Sequence, residues 1–275
     1  FKQKTAYEIR LSLVGSEMCI RDRIPVDFQE TVLTDCHSLG KELIVESRTE
    51  QLSDKKLAWA TKINPSFTVA IGLEAYDDEV LRFHVNKGFS VASWDRAVER
   101  LEKYNLRIKT YLMFKPPFMS EADALDHCVK WIEAVAEKSD EISINPMNIQ
   151  KRTIVDRIFR HREYRPPWLW SLVQMIRNVH ADIHSADGET LTRLIVHPTA
   201  AGSIRGAHNC GLCDKEVAAA IERYSVSGSL LEFEGLNCDC ESRWAAEIAL
   251  DTSLPIPLGS GLDRRLSAVE ALLSP

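Results

Sequence analysis

FTVAIGLE at 67–74, LRIKTYLMF at 106–114 and EISINP at 141–146 decide the fold of this chain. Each is a short apolar run that ends in charged or polar groups, and the stretches between them take up a helical period. KELIVES at 41–47 is an earlier strand of the same kind. Helices are expected over roughly 53–61, from about Asp77, over 93–104, and from Ser120 to Lys138, where Ser120 and Asp123 make a capping-box pattern. Asn86-Lys87-Gly88 and Lys115-Pro116-Pro117 are the breaks. Strands alternating with helices imply parallel strands covered by helices. With four strands before residue 150, the expected class is α/β, as an incomplete barrel or an open sheet.

The remainder changes character. TIVDRIF at 153–159 reads as a helix leading into the basic segment that ends at Arg165. Pro166-Pro167 should start a helix from Trp168 to about Val179, with Pro167 in its first turn. A strand is expected over Glu189–Pro198, a helix over Lys215–Tyr224, and another over ESRWAAEIAL, followed by a Pro/Gly-rich loop at 253–261 and a last turn or two of helix. The first 23 residues sit badly with the rest and resemble a translated sequencing adapter, so native sequence is expected from near Ile24; Cys19 receives no role.

The 275 residues are 45% apolar and 27% charged, ordinary for a globular protein. A net charge of −6 gives no global steering toward nucleic acid, though it allows a local basic face. No apolar run is long enough to span a bilayer, and no secretory signal pattern is present. Seven cysteines in no secreted-framework spacing suggest a reducing cytoplasm.

Four of those cysteines form a group: His208-Asn-Cys210-Gly-Leu-Cys213, then Cys238-Asp-Cys240 after 24 intervening residues. Two close pairs supply four thiolates to one metal, and zinc accepts such a set tetrahedrally. Four protein ligands close the shell, so the site would hold structure and do no chemistry itself. His208 is a reserve ligand, and a redox dithiol or two unrelated reduced pairs are the alternatives. At the carboxyl ends of the strands, where ligands gather in parallel α/β folds, stand Glu46, Ser47 and Arg48; Gly72 and Glu74; Lys115; and Ser143, Asn145, Asn148 and Gln150. Lys115 with its two prolines reads as a stiff positive rim for a phosphate or carboxylate. Lys151–Arg165 carries six Lys or Arg against two acids, with Tyr164, Trp168 and Trp170 beside it. Such a segment either engages RNA phosphates and unstacked bases or is a solvated helix face next to a tryptophan core, in which Trp170 is the better core candidate.

VESRTE at 45–50, IGLEAYDDEVLRFHVNKGFS at 71–90, KTYLMFKPPFMSEADAL at 109–125 and ISINPMNIQKRTIVDRIFRHREYRPPWLWSL at 142–172 match one known family, as do RGAHNCGLCDKEV at 205–217 and the CDC at 238–240. From about Pro25 to Arg243 the chain resembles the archaeosine-biosynthesis radical S-adenosylmethionine proteins, the archaeosine synthase beta subunits. The resemblance implies a partial (β/α)6 barrel with a cysteine-bearing C-terminal appendage, divided here as 24–180 and 181–275. It implies S-adenosylmethionine and a 4Fe–4S cluster held by Cys-x-x-x-Cys-x-x-Cys after the first strand. That motif is missing from this sequence, and Cys36, in an expected helix, cannot replace it. The strands before residue 150 would be the third to the sixth, so the first two and the cluster loop are expected to be absent and this chain to be inactive alone. The implied reaction converts the lysine adduct of 7-cyano-7-deazaguanine at position 15 of the tRNA D-loop to archaeosine, after a partner subunit has transferred lysine. Implied cofactor contacts are Glu46, Arg48, Gly72 and Glu74; implied substrate contacts are Lys115, Asn145, Asn148, Arg165 and Trp168; zinc would sit on Cys210, Cys213, Cys238 and Cys240. A non-enzymatic zinc-containing RNA-binding module is the competing reading.

Overall fold

The computed structural model describes residues 24–184 and 191–253, so the adapter-like stretch and the expected elements beyond Ser253 lie outside the described residues. In chain order the elements are α1 (Val26–Ser38), β1 (Ile44–Glu46), a 3-10 turn (Thr49–Gln51), α2 (Asp54–Ile63), β2 (Thr68–Glu74) and α3 (Asp78–Val80), which runs on as a π-helical turn over Leu81–Val85. Then come α4 (Val91–Lys103), β3 (Arg107–Phe114), α5 (Glu121–Ala136), β4 (Glu141–Pro146), α6 (Ile154–Arg160), α7 (Leu169–Val179), β5 (Arg193–Val196), α8 (Asp214–Ser227), a 3-10 turn (Leu230–Phe233) and α9 (Cys240–Ser253). The strands form one parallel sheet in the order β1-β2-β3-β4-β5, with β1 in register Ile44↔Thr68 on β2 and β4 in register Glu141↔Arg193 on β5. Each strand therefore lies beside its sequence neighbour, as right-handed β/α crossovers produce.

The fifth strand is an addition to the reading above. The run expected over 189–198 is realised at Arg193–Val196 and joins the same sheet, giving five parallel strands where the alternation before residue 150 gave four. Its Ile195 pairs with the fully buried Ser143 of β4, and α8 reaches it through Ser225, whose hydroxyl accepts from Val196 N at 2.9 Å and donates to Val196 O at 3.1 Å. The helix expected from Trp168 begins one residue later, and Pro166 and Pro167 lie outside it. Trp168 is the N-cap residue, with the extended ψ of 140° usual at that position, and its N–H donates to the Glu121 carboxylate at 2.8 Å.

Two compact units share these elements: among the described residues, 24–72 with 92–109, and 73–91 with 110–184 and 191–253. In the first, α4 buries Trp94, Ala97, Val98 and Leu101, the i, i+3, i+4, i+7 stripe of an amphipathic helix. Its polar end ties to α2, where Asp54 takes the Lys103 ammonium at 2.8 Å and the Tyr104 hydroxyl at 3.2 Å. Ser53 caps α2, its hydroxyl accepting from Lys56 N.

In the second unit, α5 starts as its sequence promised, with the Ser120 hydroxyl accepting from Asp123 N at 3.1 Å. It buries Ala124, Cys128, Trp131, Ile132 and Val135. Helix α7 packs on α5 and α8 and is buried almost all round, which is why its sequence reads as nearly continuous apolar residues. Helix α9 lies across α5. No helix among the described residues is long and apolar enough to cross a membrane.

Candidate metal centre

The loop from 197 to 213 approaches its own backbone so closely that a side-chain carbon on Gly206 would lie 2.3 Å from Ala200 O. Gly211, at φ 91°, turns the chain between the first two cysteines in the left-handed region that suits glycine. Asp214, buried in the first turn of α8, fastens the loop: its carboxylate accepts from Asn209 N at 2.8 Å and Gly211 N at 3.2 Å. An anion at a helix N-terminus is favoured there as well. Cys213 is the N-cap residue of α8, and Cys240 is the first residue of α9. The two helix starts therefore carry the two buried sulfurs, while Cys210 and Cys238 lie toward the outside.

The sulfurs converge. Cys210 Sγ is 4.0 Å from Cys213 Sγ and 3.7 Å from Cys238 Sγ, and Cys213 Sγ is 3.6 Å from Cys240 Sγ. All four lie within 4.8 Å of one another, and all are free thiols. A tetrahedral ion with bonds of ~2.3 Å places its sulfurs ~3.8 Å apart. The site thus fits one mononuclear ion. A 4Fe–4S cube puts each thiolate on a different iron and needs the sulfurs spread wider. His208 is outside the set, since its Nδ1 faces Gly206 O at 2.8 Å.

The surroundings suit thiolates. Backbone N–H groups of Leu212 and Cys213 hold the Cys210 thiol down to about 7, while burial pushes those of Cys213 and Cys240 up. The buried pair has donors aimed at it: Asn209 Nδ2 donates to Cys213 Sγ and the Trp170 indole N–H to Cys240 Sγ, each at 3.3 Å. Donors of this kind orient and stabilise metal thiolates.

Beneath the cysteines, α9 is locked down by residues on one face. Cys240 is followed by Trp244, whose indole donates to Ser171 Oγ at 2.8 Å, by Glu247, which accepts from the Trp168 indole at 2.9 Å, and by Asp251, which accepts from Glu121 N at 3.0 Å. These positions follow the helical period. Ser171 and Trp168 N both donate to Glu121 Oε1, and Glu121 Oε2 takes the Lys115 ammonium at 2.6 Å, with side-chain exposures of 5% and 0%.

The strand-end residues fall as follows. In the first unit, Glu46 ends β1 half-buried, Arg48 is exposed with its Nε 2.7 Å from Glu50, and Gly72 lies within β2. In the second, Glu74 leaves β2 at a left-handed φ of 73° and pairs with Lys87 at 3.0 Å. Lys115 leaves β3 at φ 57° and is the buried partner of Glu121, so the positive rim expected there is not an exposed one. Asn145 and Asn148 are half-buried, and Asn148 Oδ1 accepts from Gln150. Trp168 and Trp170 are both core, at 4% and 3% exposure, as is Tyr164. Arg165 stacks over the Trp168 ring at 3.8 Å and donates to Pro166 O and His208 O.

Over 212 residues, the chain is 33% identical to archaeosine synthase subunit beta of Methanosarcina acetivorans, covering 76% of this chain and 60% of that protein. Over 207 residues it is 36% identical to archaeosine synthase subunit beta of Thermococcus kodakarensis, covering 74% of this chain and 62% of that protein. The chain is thus similar to archaeosine synthase beta subunits over about three quarters of its own length. It spans about three fifths of the length of these relatives. No family model matches it. The archaeal Elp3 of Methanocaldococcus infernus shares its fold, with a TM-score of 0.51 at 18% identity over 72% of this chain and 43% of the other. That likeness is one of fold, a parallel α/β sheet covered by helices.

Several residues of the site were not visible in the sequence. Asn209 and Asp214 adjoin the cysteines, and their place within HNCGLCD was a usable signal, whereas Trp170 faces Cys240 from 70 positions away. Glu121, Trp244, Glu247 and Asp251 gave none, because ordinary charged and aromatic residues on amphipathic helices look alike until the helices are packed.

Proposed function

We propose that this chain is part of a radical S-adenosylmethionine lyase that converts the lysine adduct of 7-cyano-7-deazaguanine at tRNA position 15 to archaeosine. The observation that carries the reading is identity of 33–36% to two archaeosine synthase beta subunits, on a fold shared with Elp3. The Cys-x-x-x-Cys-x-x-Cys motif does not occur in this sequence, so none of its residues is assigned to a 4Fe–4S cluster and no step is routed through one. Bound in the whole protein, S-adenosylmethionine with such a cluster would supply radical chemistry for opening the lysine-derived carbon–nitrogen bond.

The parts proposed for this chain are positioning and structure. Glu46, Arg48, Gly72 and Glu74 are the proposed cofactor contacts, and Asn145 and Asn148 the proposed substrate contacts. Lys115, Arg165 and Trp168 are proposed substrate contacts as well, each of them also held by internal partners. The proposed metal is zinc on Cys210, Cys213, Cys238 and Cys240, with no open position and hence a structural role. The proposed partner is the subunit that transfers lysine.

The test uses the full-length protein, reconstituted without oxygen and supplied with lysine-modified tRNA. Archaeosine should form with consumption of S-adenosylmethionine. Loss of neither substrate nor cofactor in a cluster-loaded preparation rejects the enzyme reading. Elemental analysis should return one zinc per chain; iron in its place, or no metal, rejects the zinc assignment.

A further inference from the structure

Residues 151–162 hold five Lys or Arg against the single acid Asp156, in a chain of net charge −6. The structure buries that acid and leaves the bases at the surface. Asp156 is buried at 2% exposure, whereas Lys151, Arg152, Arg157, Arg160, His161 and Arg162 are all exposed. Helix α6 explains the sorting. Val155 and Ile158 face inward, into a cluster with Ile149 and Tyr164, so Arg157 and Arg160 fall on the outer side.

Asp156 holds the region in shape. One carboxylate oxygen takes Arg205 Nη2 at 2.6 Å, and the other takes Arg152 N and Arg160 Nη2, each at 2.9 Å. Arg205 belongs to the loop that carries the first two cysteines, and it pairs with Ile149 through its backbone, Ile149 N donating to Arg205 O at 2.8 Å. At the other end of the segment, Arg165 donates to His208 O and Asn209 O. The basic ridge is thus fastened at both ends to the loop that holds the metal ligands.

The geometry points to this ridge as a docking surface for the sugar–phosphate backbone of tRNA, a reading that rests on the proposed tRNA substrate. The aromatic residues beside it are unavailable for stacking, since Tyr164, Trp168 and Trp170 are all in the core. What remains is an array of cations, with the partly buried Phe159 packed against the Ile149 cluster and the Arg205 guanidinium 5.6 Å from its ring centre. Such a surface positions a polyanion and reads no bases. It confers salt-dependent binding, with ~0.7–0.9 units of slope in log K against log salt for each phosphate neutralised. Because Arg205 and Arg165 tie the ridge to the cysteine loop, metal loading keeps its cations in register.

Two triple variants of the zinc-loaded 275-residue chain test this with an unmodified tRNA transcript as probe. One is Lys151→Glu, Arg157→Glu and Arg162→Glu. The other, Lys55→Glu, Lys56→Glu and Lys62→Glu on α2, makes the same change in net charge at exposed sites elsewhere. Circular dichroism melts are run on both. The ridge variant should bind at least ~10-fold more weakly at low salt and lose about 2 units of salt slope, with the α2 variant within a few-fold of the parent chain. Equal weakening by both variants overturns the proposal, because net charge alone then accounts for binding. Undiminished binding by the ridge variant places the tRNA surface elsewhere and leaves the tRNA reading standing. No binding by the parent chain at low salt overturns the ridge. The anaerobic conversion assay on the full-length protein then decides separately whether tRNA is the substrate. If the ridge variant melts early, Lys151→Gln with Arg162→Gln gives the same reading with a third of the charge change.

Discussion

At Glu121 one carboxylate answers an ammonium, a backbone amide and a hydroxyl at once, with its side chain fully buried. Removing it strands the Lys115 charge in a dry site, and breaking a buried pair from one side costs ~3–5 kcal/mol. Glu121→Ala should therefore lower the urea midpoint far more than Arg48→Ala, whose ion pair with Glu50 is about half exposed and whose loss should be within ~1 kcal/mol of neutral. Equal midpoints for the two variants would show that the buried pair is not a determinant of stability. Asp156 sets a pH dependence. Arg205 first, then the Arg152 amide, hold its carboxyl to about 2, below the ordinary ~3.9 of an aspartate. A depressed pKa stabilises the fold fully above the unfolded value, and that contribution fades as pH falls from ~4 through about 2. Protease nicking of the 149–162 loop should rise over that window, and Asp156→Asn should nick at neutral pH with little further change in acid.

Helix α9 shows how a metal centre acts at the scale of an element. Its first residue is a ligand, and its Trp244, Glu247 and Asp251 fasten it to Ser171, Trp168 and the start of α5. Its own sequence buries little besides Cys240, so packing alone gives it weak support. Chelation should therefore raise amide exchange in α9 and the first turn of α8 by at least ~10-fold while β3, β4 and α7 stay protected, as local opening requires. Indole fluorescence should change in step, since Trp170 donates to Cys240 and Trp244 lies one turn on. Cys213→Ser should mimic chelation. If exchange rises uniformly over the second unit, the ion supports the whole unit rather than the α9 dock. The elements themselves were largely readable in advance. Strands β2, β3 and β4 and the Ser120 cap of α5 lie within a residue or two of expectation because periodicity and capping are local. The helix expected from Trp168 starts one residue later, with Trp168 as its N-cap and Pro167 just before it.

For the whole molecule, the described sheet ends at β1, three residues long and paired on one side only with β2, and its Ile44 is 38% exposed. An apolar edge invites pairing with another copy. Sedimentation should show association that grows with concentration, and Ile44→Lys should suppress it without lowering the melting temperature; a monodisperse parent chain would count against an open edge. The sequence by itself determined the α/β class, the parallel order and the four metal ligands. Alternation, crossover length and cysteine spacing are properties of nearby residues, and they survive any arrangement of the rest. Only the tertiary structure decided that β5 joins the sheet, that Lys115 and Trp168 turn inward, and that Tyr164, Trp168 and Trp170 beside the basic segment are core. Each of these depends on a partner far along the chain: Glu247 for Trp168, 79 positions on, and Arg205 for Asp156, 49 positions on. Burial is set by what packs against a side chain, and a charged or aromatic residue carries no local mark of whether its partner will be water or protein.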